Sequence, residues 1–107
     1  MVTAELALAI PALAVVAVML AWLVGLGVGQ GMAVQAAREG ARTAARGESA
    51  PAVRATTRAV LPGATVSVRR SGDLVAVTAS IRRTPPLAFL RLWATDLSAT
   101  ATAWREQ

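Results

Sequence analysis

Residues 5–31, ELALAIPALAVVAVMLAWLVGLGVGQG, open on a carboxylate and then carry no charge of either sign. The 24 residues from Leu6 to Gly29 are uncharged, and the next charge waits until Arg38. A hydrocarbon layer about 30 Å thick needs roughly 20 apolar residues as a helix. The run is therefore long enough to span a membrane. A secretory signal core is shorter and starts with positive side chains, which this stretch lacks. Pro11 lies near the helix start, where neighbouring groups can replace the lost hydrogen bond at the cost of a mild kink.

Glu5 has two readings. It is either an interfacial residue just outside the span or a carboxylate kept to pair with a positive group, since ionised groups at a membrane helix are costly. No Arg lies nearby in sequence, so such a partner comes from an amino terminus or another chain. Further along, Gly25 with Gly29 and Gly27 with Gly31 have the small-xxx-small spacing that lets membrane helices approach closely. Glycine is also simply commoner in membrane helices, and the sequence leaves both readings open. Ala7, Ala14 and Ala21, a heptad apart, could extend the same contact face.

The helical pattern continues as MAVQAAREGARTAARG, residues 32–47, but turns amphipathic. Arg38, Arg42 and Arg46 form a basic stripe, and Ala33, Ala37, Ala41 and Ala44 a small-residue face at helical spacing. Glu39 is placed to reach Arg42 at i+3. The stripe suits a solvated face, phospholipid head groups or acids on a neighbouring subunit. Nucleic acid is a poor match, because interleaved stacking aromatics are missing. If Val2–Arg46 is one helix, it is roughly 65 Å long.

Residues 48–107 make a small remainder, marginal as an independent core. Gly47 and Glu48 read as a helix stop, with Ser49 as N-cap and Pro51 in the first turn of a second helix reaching about Leu61. Val53, Thr57, Val60 and Leu61 would line its inner face. Residues 65–69 and 74–81 alternate around the turn signal Ser71-Gly72-Asp73, which predicts a hairpin. Residues 87–93 are apolar and could hold a helical turn, and residues 96–104 alternate as a third strand. Phe89 and Trp93 are expected to plug the core, and Trp22 and Trp104 to pack or sit at an interface. Arg69 and Arg70 fall near the turn and Arg82 and Arg83 at the other end, as charges that blunt strand ends and edges.

The chain has no Cys, His, Lys or Tyr; eleven Arg face six acids, a net charge of +5. Without cysteine there are no disulfides or thiolate metal sites. Without histidine or lysine, and with the carboxylates scattered, no general base or metal-ligand cluster can be assembled from the pattern. The sequence reads as a non-enzyme with no cofactor, no metal and no catalytic residue.

The opening MVTAELALAIPAL (residues 1–13) and AAREGAR (residues 36–42) resemble the TadE-like minor pilins of tight-adherence pili, within the type IV pilin group and nearest its actinobacterial branch. The resemblance covers the whole layout, but only these two stretches are motif-grade. It implies an α+β fold: one long membrane and stalk helix over residues 1–47, then a head over 48–107 with a short helix and an antiparallel sheet of about three strands. It implies a basic leader ending in glycine, removed by a prepilin peptidase. Glu5 is then the fifth mature residue if Met1 is the first, and Met1 and Glu5 serve assembly. Other pilin subunits, the assembly machinery and the membrane are the implied partners. The implied role is structural, in pilus initiation, tip or surface adhesion, with the head outside the cell membrane. The arginines that follow the span pull the other way, since positive residues favour the cytoplasmic side. A single-pass membrane protein whose small extracytoplasmic domain binds a partner, with no filament, is the competing reading.

Overall fold

The computed structural model describes residues 2–85 and 93–104. In it a helix α1, Val2–Ala45, runs unbroken through Pro11, followed by α2, Ala50–Val60. Three strands follow: β1, Thr65–Ser71; β2, Leu74–Arg83; and β3, Thr95–Trp104. The arrangement is α+β and elongated, 74 Å along its longest axis and 20 × 18 Å across.

The two halves of α1 differ completely. No residue from Val2 to Val28 is buried, whereas Gly29, Ala33, Ala36, Ala37, Gly40, Ala41 and Ala44 are. The distal half is thus the central strut of the head, covered by α2 and by one face of the sheet. Its inner face is nearly all alanine and glycine, so the covering elements approach the helix backbone closely. Gly40 marks the tightest place. A Cβ there would overlap Thr57 Oγ1 and stand 2.9 Å from Val77 Cγ1.

Local chemistry sets the element ends. Gly47, at φ 82°, adopts the left-handed conformation that ends a helix, and its N–H donates to the Ala44 carbonyl at 3.0 Å. Ser49 is the N-cap of α2, its Oγ accepting from the Ala52 N–H at 3.4 Å, with proline in the first turn. Val53, Thr57 and Leu61 from this stretch are buried. Thr57 satisfies its hydroxyl by donating to the Val53 carbonyl at 2.8 Å. Arg58 Nε donates to the Ala64 carbonyl at 3.1 Å and fastens the exit from α2.

The sheet is antiparallel with β2 in the centre, order β1-β2-β3. Ser71 pairs with Leu74, so the hairpin loop is Gly72-Asp73 alone, with Gly72 at φ 59° in the first central position. That is where a type II′ turn places glycine. Val66, Val75, Val77, Ala79 and Leu97 turn inward, and Thr78 and Thr100 share a hydroxyl hydrogen bond of 2.8 Å on the outer face.

Three expectations need correction. Strand β1 runs on to Ser71, because the turn uses two residues rather than three. Strands β2 and β3 extend to Arg83 and back to Thr95, because Arg82 and Arg83 find partners in Asp96 and Thr95. Trp93 does not plug the core: it is 59 % exposed. The expected helical turn at 87–92 and the core position of Phe89 lie outside the described residues.

Candidate functional site

The feature that calls for an explanation is the bare half of α1. Leu6, Leu8, Ile10, Leu13, Val24 and Val28 are all more than half exposed. The most apolar eighteen-residue window of the helix has none of its residues buried. A contiguous apolar surface of this length is far beyond what a monomer leaves to water, and the helix is long and apolar enough to cross a membrane.

Glu5 sits in the first turn of this bare helix, where a negative charge is favoured by the helix dipole. It is exposed and takes part in no hydrogen bond or ion pair among the described residues. Met1, the other expected assembly residue, lies outside the described residues.

The four glycines divide. Around Gly25, Gly27 and Gly31 nothing among the described residues lies within 4 Å of where a Cβ would be, which leaves room there for a neighbouring helix. Gly29 is not. It is buried by the chain's own head, with Leu97 Cδ1 2.8 Å and Arg83 Nε 3.5 Å from its Cβ position. Gly29 is therefore a seat for β3, so of the two readings of the glycine spacing close packing against another helix does not apply at Gly29, because the head reaches lower along α1 than the spacing reveals. Beside it, Gln30 Nε2 donates to the Ser98 carbonyl at 2.9 Å.

Arg38, Arg42 and Arg46 are exposed, and Arg42 meets Glu39 at 3.6 Å. Arg38 and Arg42 also line one wall of a groove of about 370 Å³ whose other wall is Ala101–Trp104 of β3. The stripe is thus split between solvent and this groove. Arg69 and Arg70 stand at the hairpin end, where Arg70 donates to the Glu48 carbonyl at 3.0 Å, and Arg82 and Arg83 at the other end of β2. Two residues with consequences escaped the sequence reading. Gly40 had a signal, since Ala36, Gly40 and Ala44 repeat the small-xxx-small spacing. The seating of Arg83 on Gly29 had none.

Among the described residues, no three His, Cys, Asp or Glu side chains gather where they could hold a metal ion. No protein family, curated protein or solved structure matches this chain.

Proposed function

We propose that the protein is a structural subunit of a tight-adherence type IV pilus, a TadE-like minor pilin held in the membrane by α1 before assembly. The observation that carries this reading is the split of one continuous helix into a bare apolar half and a half that is the core of the head. A filament whose centre is a bundle of such helices needs this division, because the same surface must be exchangeable between lipid and neighbouring subunits. Gly25, Gly27 and Gly31, clear of the other described residues, would allow close helix approach, and Glu5, without a partner among the described residues, would serve docking. The chain supplies structure and contact surface, not catalysis. The head stands outside the cell, at the pilus base, shaft or tip, with pilin subunits and the assembly machinery as partners.

The test is Glu5→Ala in the native host. Burial of the apolar run drives insertion, so the variant fractionates with membranes as the wild type does. It is missing from sheared filaments, because the docking charge is gone. Normal incorporation into sheared pili would remove the role assigned to Glu5. If the wild-type chain itself never leaves the membrane fraction, the single-pass membrane protein with a partner-binding head takes the place of the pilin.

A further inference from the structure

The register of β3 against α1 sets how far down the helix the head reaches. Ser98 is tied to Gln30, and Leu97 lies on Gly29. Towards its end, β3 shares a groove with Arg38, Arg42 and Ala45, so strand and helix run in the same direction. Thr95 is two residues before Leu97, about 7 Å further toward the membrane end at strand rise. At about 1.5 Å per helical residue this is the level of Gly25. Below it the bare helix from Leu6 to Gly25 spans about 30 Å, which is the thickness of the hydrocarbon layer.

The residues on this lower rim suit the place. Arg83 pairs with Thr95 and Arg82 with Asp96, both at the end of the sheet nearest the bare helix. Arg82 is exposed; Arg83 lies partly buried along Gly29, and its Nε has no hydrogen-bond partner among the described residues. Trp93, two residues before Thr95, is 59 % exposed. Beside Arg82 is a cleft of about 380 Å³ lined also by Thr65, Ser80 and Asp96, with room for a polar head group. Two guanidinium groups against one carboxylate leave the described part of the rim positive. Guanidinium groups match phosphate oxygens in geometry, and tryptophan favours the head-group depth of a bilayer.

We propose that this rim is a lipid-docking surface: Arg82 and Arg83 on the phosphates of anionic phospholipids and Trp93 at head-group depth, so that the head rests on the membrane from which α1 emerges. The proposal rests on α1 being a membrane span, and not on the filament. A head seated in this way has a fixed height and tilt before assembly. Extraction into a filament must break the lipid contact.

The test uses the full chain in vesicles of zwitterionic lipid, alone or mixed with anionic phosphatidylglycerol, and in uncharged micelles. Trp22→Phe with Trp104→Phe leaves Trp93 as the reporter, and Trp93→Phe with Trp104→Phe leaves Trp22. Brominated lipids report burial in the bilayer and iodide reports exposure to water. Trp22 is expected to be quenched by bromine in both vesicles. Trp93 should be shielded from iodide relative to micelles, and more so with anionic lipid. Each arginine near an anionic surface strengthens docking roughly fivefold, so Arg82→Gln with Arg83→Gln should lower the docked-to-undocked ratio about 25-fold. Arg82→Gln alone, at an exposed side chain that leaves the Gly29 seat intact, should lower it roughly fivefold, with Arg82→Lys close to wild type. Trp93 as open to iodide in anionic vesicles as in micelles, with Trp22 quenched by bromine, would overturn the docking surface and leave the span standing. Trp22 beyond the reach of bromine would overturn both.

Discussion

Replacing Gly40 by alanine sets two opposed effects against each other in the middle of the head. In the interior of an exposed helix the change would stabilise by about 1 kcal/mol, because glycine is the poorer helix former. Here the added methyl group meets Thr57 Oγ1 and Val77 Cγ1. Neither can yield easily. The Thr57 hydroxyl is held by its 2.8 Å bond to Val53, and Val77 is fully buried on the central strand. Overfilling a packed core costs about 1–3 kcal/mol, and with two constrained neighbours the upper half of that range applies. The net expectation is a loss of about 1–2 kcal/mol, the overpacking term less the propensity gain. Native-state hydrogen exchange of the full chain in micelles should show it as a roughly 5- to 30-fold fall in protection at the Val77 amide. Gly31→Ala, with nothing within 4 Å among the described residues, is the control: it has the propensity gain without the overlap and should not lower that protection. In Gly40→Ala with Thr57→Ala, loss of the hydroxyl should recover part of the deficit, as a coupling between contacting residues. A Gly40→Ala protein as stable as the wild type would refute the close approach of α2 and β2 to the helix backbone.

Three further outcomes follow from the same geometry. Gly25→Leu with Gly27→Leu should leave head protection intact while weakening subunit crosslinking, whereas Gly29→Leu alone should lower protection in β3, because the leucine displaces Leu97. Ser49→Ala should lower the melting temperature by about 2–4 °C, corresponding to about 0.5 kcal/mol, at the weak end for an N-cap because the bond is long and exposed. A reporter fused after Gln107 of the complete gene product, active only outside the cytoplasm, should be active; a silent one would retire the pilin reading.

Much of the fold was legible because its signals are local. Ser49 with Pro51 announces α2, Gly72-Asp73 the hairpin, and the alternation of residues 74–81 and 96–104 the paired strands. What stayed hidden depends on which surface meets which. Gly25 and Gly29 share a spacing, and only the register of β3 on α1 shows that the second is covered while the first is clear of the other described residues. Trp93 reads as a core residue by type, yet the core is already filled by alanines of α1 against Val75, Val77 and Leu61, which leaves no place for an indole. The arginines at the end of β2 look like a stop signal, but cross-strand partners carry the ladder through them. Of the candidate site, the bare helix and Glu5 could be read directly. The lower rim could not, because Arg83 is brought beside α1 only by the sheet, and Trp93 comes to the same end of the sheet only through the pairing of Thr95 with Arg83.

Because α1 passes from the bare half into the head without a break, and β3 runs alongside it in the same direction, a pull on the bare end loads their contact lengthwise. Contacts from Gly29 to Ala45 then share the strain at once, instead of parting one after another as they would if the strand were peeled away. A chain built this way carries tension from the bare half of α1 into the head through the helix's own backbone hydrogen bonds and the packed alanines. The seat at Gly29 is the first contact to feel that load.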